Sequence, residues 1–95
     1  MRSSKRSCVV CLRVDGRGQF VGVIEDAPPH RGSLRALVEN DSAGAVGRGL
    51  CRYLRRNKRV EVESLHVSIG SGVSRTKVMA LVREYAHLTE EVIGR

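Results

Sequence analysis

Apolar residues recur with period two along the first part of the chain. Cys8-Val9-Val10-Cys11-Leu12-Arg13-Val14 is β-branched and apolar, and Asp15-Gly16-Arg17-Gly18 after it carries turn residues, so a strand followed by a turn is predicted. Gln19-Phe20-Val21-Gly22-Val23-Ile24 predicts a second strand. It ends at Glu25-Asp26-Ala27-Pro28-Pro29, because proline can neither donate to a ladder nor continue it. A third strand is expected from Ser33 to Glu39, with Leu34, Ala36 and Val38 alternating against Arg35 and Leu37.

The period then changes. Asn40-Asp41-Ser42 offers N-cap chemistry, and Val46, Leu50, Tyr53 and Leu54 recur at helical spacing, which predicts the main helix over 43–57. Gly44, Gly47 and Gly49 each cost such a helix about 1 kcal/mol relative to alanine. Its first turns therefore need a close neighbour that requires the missing side chains, and packing on the sheet is the simplest one. From Val60 the period returns to two: Val62, Leu65, Val67 and Ile69 predict a fourth strand, and Gly70-Ser71-Gly72 a turn out of it. Lys77-Val78-Met79-Ala80-Leu81-Val82 reads as a fifth strand. Thr89, with Glu90 and Glu91 behind it, reads as the N-cap of a short C-terminal helix. The expected fold is α+β: a small mixed sheet of about five strands packed by one main helix and a short C-terminal one. Residues 1–7 form a basic tail and 8–95 a single domain; no internal repeat interrupts them.

A chain of 95 residues holds one modest core. With no tryptophan, one phenylalanine (Phe20) and two tyrosines (Tyr53 and Tyr85), that core is built from Val, Leu, Ile and Ala, which argues against an aromatic base-stacking platform. Lys and Arg number 17 against 10 Asp and Glu, a net charge of +7, and this is the electrostatic footprint of a polyanion binder. The three cysteines, at positions 8, 11 and 51, are an odd number and point to a reducing compartment. No apolar run approaches the roughly eighteen residues that span a bilayer. Met1-Arg2-Ser3-Ser4-Lys5-Arg6-Ser7 is Arg/Ser-rich and free of acids, as mitochondrial import signals are, although basic tails share that look. The expected location is mitochondrial, otherwise cytoplasmic.

Gln19-Phe20-Val21-Gly22-Val23 and Gly70-Ser71-Gly72-Val73-Ser74-Arg75-Thr76-Lys77, in this order of elements, resemble the YggU-like family of uncharacterised small α/β proteins over nearly the whole chain. Ser74, Arg75 and Lys77 fit that family's G-x-x-S-R-x-K hairpin, with Gly70 and Gly72 displaced by one. Ala27-Pro28-Pro29 is not its A-P-P turn, since that match forces a long insertion before the helix. Glu39-Asn40-Asp41-Ser42-Ala43-Gly44 occupies the turn instead, without the prolines and with Gly47 where the family has Asn. The resemblance implies a fold rather than a function.

The strongest local signal is a run of cations, Arg48, Arg52, Arg55, Arg56, Lys58 and Arg59, with no acid among them. On a helix the four arginines at 48, 52, 55 and 56 fall within an arc of about 100° opposite Val46, Leu50 and Leu54. Guanidinium forks suit phosphate oxygens, and several such contacts make binding steeply salt-dependent. The alternative is a solvated helix surface, although such surfaces usually mix signs. In Gly70–Lys77, the glycines, the hydroxyls and the cations Arg75 and Lys77 have the composition of a phosphate nest. The segment lacks Walker spacing and is expected not to open a helix, so a plain hairpin is the competing reading.

Cys8-x-x-Cys11 could begin a zinc site, but only Cys51, His30, His66 and His87 remain, without a second close pair. Residues three apart on a strand also point to opposite faces. Buried apolar cysteines are the alternative, and a thioredoxin-like role fails because no helix follows the motif. His66 is expected on the open face of its strand, His30 and His87 in loops. No nucleophile–base constellation is recognisable, so no catalytic residue, metal, cofactor, small-molecule substrate or membrane partner is assigned.

The expectation is a non-enzymatic, basic RNA-binding protein in a ribosomal setting, as structural component or assembly factor, with a mitochondrial ribosome as its specific version. Arg48, Arg52, Arg55, Arg56, Lys58, Arg59, Ser74, Arg75 and Lys77 would meet rRNA phosphates, with neighbouring ribosomal or assembly proteins as further partners. The alternative is an interaction module whose basic face docks an acidic protein without nucleic acid. A small hydrolase or nucleotide-binding enzyme would need a pocket uniting a histidine with the 70–77 loop.

Overall fold

In the computed structural model, which describes residues 5–27 and 33–94, the chain runs β1 (Arg6–Val14), β2 (Phe20–Asp26), β3 (Leu34–Asn40), α1 (Ala43–Arg56), β4 (Val60–Ile69) and α2 (Arg75–Ile93). The strands form one sheet in the order β3-β2-β1-β4. β1 pairs antiparallel with β2, and β2 with β3, while β4 lies parallel to β1. A parallel neighbour requires a crossover, and α1 lies within it. The α+β class and the mixed sheet are as expected, but among the described residues the sheet has four strands rather than about five.

Alternation decides the two faces of the sheet. Cys8, Val10, Leu12 and Val14 of β1, with Phe20 and Ile24 of β2, are buried against Val46, Leu50 and Leu54 of α1 and Leu81 and Leu88 of α2. Val9, Cys11 and Arg13 turn to the opposite face. Gly22 sits under α1, where a Cβ would meet Leu50 Cδ1 and Val46 Cγ1 at 2.7 Å.

Two irregularities break the alternation. Ile24 faces Ala36 and Glu25 faces Leu34, so Arg35 is an extra residue in β3. The expected alternation put Leu34 with Ala36 and Val38. The bulge instead leaves Leu34 exposed and brings Arg35 round to Asp26 and Tyr53. In β4 Cys8 faces Val62 and Val9 faces Ser64, which leaves Glu63 extra and accounts for the step from Val62 to Leu65 in the apolar pattern.

The main correction lies at the C-terminus. Residues 77–82 are not a fifth strand, and no separate helix begins at Thr89, because Arg75–Ile93 is one continuous helix. Its N-cap is Ser74, whose side chain accepts from the Lys77 amide. Thr89 lies inside the helix and donates its hydroxyl to the Tyr85 carbonyl at 2.9 Å. The core-facing side of α2 carries Leu81 and Leu88 with Ala80, Tyr85 and Val92, and the half-buried Lys77, Glu84 and Glu91 flank it. The spacing 81, 85, 88 and 92 is helical, but the compact apolar run Val78-Met79-Ala80-Leu81-Val82 imitates a strand when read alone.

Both helices start at the sheet end where β1 and β4 finish, and both run back toward the end where they begin. The C-terminal turn of α1 therefore reaches the end of the domain that holds Arg6, Asp26 and Arg35. Pro28, Pro29 and His30 lie outside the described residues, as does most of the basic tail.

Candidate nucleic-acid interface

The helix that carries the arginines is built as its sequence requires. Ser42 caps it by accepting from the Ala45 amide at 3.3 Å, and Asn40 Oδ1 accepts from the Ser42 amide at 2.9 Å. Arg55 and Arg56 lie in its last turn, where the partial negative charge of the terminal carbonyls favours cations. Asn57 closes that same end as the C-cap, and its side-chain amide donates to the Tyr53 carbonyl at 2.8 Å.

With Val46, Leu50 and Leu54 fully buried, Arg48, Arg52, Arg55 and Arg56 are all exposed, as the helical phase predicts. They are not equivalent. Arg55 makes a two-pronged pair with Glu91 of α2, Nε to Oε2 at 3.1 Å and Nη2 to Oε1 at 3.0 Å. That carboxylate raises the guanidinium's pKa above its ordinary value. Because Arg55 is largely solvent-exposed, the pair adds little stability. Arg48, Arg52 and Arg56 form no ion pair among the described residues.

The strip continues around the end of the domain into a cavity of about 550 Å³, lined by Arg6, Arg35, Arg56, Asn57, Lys58, Arg59 and Val60. Behind two of these cations stands Asp26, 4% exposed. Its carboxylate accepts from Arg35 Nη1 at 2.9 Å and lies 3.5 Å from Arg6 Nη2. Arg35 also donates from Nε to the Tyr53 hydroxyl at 2.9 Å, and this bond, ahead of the contribution of Asp26, raises its pKa. Sequence reading missed Arg6, Asp26, Arg35 and Tyr53 as a group. The only signal was an acid at the end of an apolar strand, and its partners are set by a bulge that no local pattern announces.

The other expected phosphate segment has a different geometry. Gly70–Lys77 is the loop into α2 and its first turn rather than a hairpin, so it does open a helix. Ser74 is occupied as the cap and Arg75 is exposed. The Lys77 ammonium donates to the Gly18 carbonyl at 2.9 Å and lies 5.2 Å from the centre of the Phe20 ring. Lys77 thus ties α2 to the β1–β2 turn, at the opposite end of the domain from the cationic cavity.

Cys8 and Cys11 point to opposite faces of the sheet, as their spacing requires, with Cys8 in the core. Cys51 lies on α1, where burial pushes its thiol pKa up. His66 is exposed on the open face beside Cys11 and 3.0 Å from the Ser64 hydroxyl. His87 is on α2 rather than in a loop, 3.9 Å from Glu84. Among the described residues no three His, Cys, Asp or Glu side chains converge as a metal site would require. Among the same residues no helix is long and apolar enough to cross a membrane.

Comparison with protein-family models, with curated proteins and with solved structures gives no match.

Proposed function

We propose that this domain binds RNA without catalysing a reaction, holding phosphates along the exposed face of α1, in a ribosome-associated role as structural component or assembly factor. The observation that carries the reading is the strip of Arg48, Arg52 and Arg56. All three are exposed and make no ion pair with an acid among the described residues, and the strip runs on into Lys58 and Arg59 at the end of the helix. Unpaired guanidinium groups on one rigid helix suit the phosphates of structured RNA, which is recognised by shape and backbone more than by base stacking. Arg55 contributes in competition with Glu91, and Arg75 adds a cation at the far end of the domain. Lys77 serves the fold.

A YggU-like ancestry belongs to the same proposal. The Val21-Gly22-Val23 strand and the Ser74-Arg75-x-Lys77 run support it, the latter standing at a helix start. The mitochondrial setting rests on the composition of residues 1–7 alone.

The test is sedimentation of the tagged protein from its native cells, with and without nuclease, followed by sequencing of cross-linked RNA. Co-migration with a ribosomal particle, and rRNA cross-links lost in Arg48→Glu/Arg52→Glu, are expected. A nuclease-resistant complex without RNA would replace this reading with docking to an acidic protein.

A further inference from the structure

The cavity at the basic end differs in kind from the arginine strip that leads to it. Its cations come from separate parts of the chain: Arg6 from the start of β1, Arg35 from the β3 bulge, Arg56 from the last turn of α1, and Lys58 and Arg59 from the loop before β4. No acid lines it. The nearby acids point elsewhere, since Glu25 and Glu61 alternate to the other face of the sheet and Asp26 sits behind the wall.

Gathering like charges around a concavity is unfavourable by itself. Here it is organised rather than incidental. Asp26 anchors Arg6 and Arg35 from the protein side, and the Tyr53 hydroxyl fixes Arg35 from a second direction. A guanidinium carries five N–H donors, and Arg35 uses Nε and one position on Nη1 for these contacts, so it retains donors for a ligand. One buried carboxylate against five lining cations leaves a surplus of positive charge that an anion of more than one unit would balance.

We propose that this pocket binds a phosphate monoester dianion. A monoester carries between one and a half and two negative charges near neutral pH and offers three terminal oxygens to forked donors, whereas a backbone diester offers one charge and two oxygens. The pocket terminates the cationic strip of α1, so a phosphorylated RNA end lying along Arg48 and Arg52 would place its terminal phosphate there. A free phosphorylated molecule presents the same chemistry. Arg56, Lys58 and Arg59 belong to both the strip and the pocket. Arg48 and Arg52 belong to the strip alone, and Arg6 and Arg35 to the pocket alone, so the two proposals can fail separately.

The experiment is a titration of the full chain, followed by amide chemical shifts at constant ionic strength, with inorganic phosphate and with one short RNA bearing either a 5′-phosphate or a 5′-hydroxyl. Inorganic phosphate is expected to give saturable shifts confined to residues 56–60 and the start of β1. The phosphorylated RNA is expected to bind about tenfold tighter than its hydroxyl twin. Arg6→Gln and Arg59→Gln, both at solvent-exposed side chains, should remove that preference. Arg48→Glu/Arg52→Glu should weaken both RNAs and leave the phosphate shifts in place. Saturable phosphate shifts without a preference between the RNAs would assign the pocket to a free phosphorylated molecule. Unsaturable, dispersed shifts together with equal affinity for the two RNAs would overturn the pocket, whatever became of RNA binding as such.

Discussion

The ammonium of Lys77 donates to the carbonyl of Gly18 at 2.9 Å, joining the first turn of α2 to the β1–β2 turn across most of the chain's length. Gly18 has φ of 86°, a conformation that favours glycine, and Asp15 pins the same turn by accepting from the Arg17 and Gln19 amides. The contact closes one end of the core over Phe20, whose ring lies under the same cation. Lys77→Met keeps the aliphatic stem and removes the charge. It should cost about 1 kcal/mol in urea denaturation through the lost charge-assisted bond and cation–π contact. RNA affinity should change less than twofold, in contrast to Arg48→Glu/Arg52→Glu; an equal loss of affinity would return Lys77 to the binding surface.

The glycines of α1 and β2 are explained by neighbours on two sides. Gly49 faces Val38 of β3, where a Cβ would meet Cγ2 at 3.0 Å, and this is the close sheet packing expected of it. Gly47 instead admits the Glu84 carboxylate of α2, so the second helix and not the sheet excludes a side chain there. Gly22 has the least room for a methyl group against buried atoms. Gly22→Ala should destabilise by about 1–3 kcal/mol through forced displacement of Val46 and Leu50. Thermal denaturation checks it, and an unchanged midpoint would show that α1 shifts freely on the sheet.

Three strands, the main helix, its cap and the orientation of its arginines were legible because each follows from a local period. β4 was legible too, although Glu63 breaks its phase. The terminal helix was missed although Leu81, Tyr85, Leu88 and Val92 recur at helical spacing, because the compact run 78–82 reads as a strand. The half-buried Glu84 and Glu91 interrupt the pattern further, and their places are made by Gly47 and Arg55 on another helix, which a local pattern cannot encode. The same holds for the basic end. The cations of 55–59 stand out in the sequence, but Arg6 and Arg35 join them only through parallel pairing and a bulge.

Asp26 connects that end to stability. It is the buried acid between Arg6 and Arg35, and Asp26→Asn leaves two cations facing a neutral group. The expected loss is on the order of 2–4 kcal/mol, within the range for breaking a buried pair and reduced by the exposure of Arg6. Tyr53→Phe removes only the bond to Arg35 Nε and should cost about 1 kcal/mol. Guanidinium denaturation of the two variants should preserve that order. Equal small losses would mean that solvent already satisfies both arginines.

The β1–β2 turn gives the fold a pH dependence of known sign. Asp15 has its pKa lowered, chiefly by the Gln19 amide, with the Arg17 amide and charge acting in the same direction. A carboxyl group whose folded pKa lies below its unfolded value binds fewer protons in the native state. Its contribution to stability is therefore complete above the ordinary aspartate range and is lost as pH falls through the folded value. Asp15→Asn retains a side-chain oxygen that accepts from the two amides but cannot titrate. Its melting temperature should lie slightly below that of the parent chain near neutral pH, and the two should converge as the solution is acidified toward pH about 2. The exposure of Asp15 keeps the difference small and sensitive to salt. A gap that stays constant with pH would assign the loss to altered turn geometry instead of to charge.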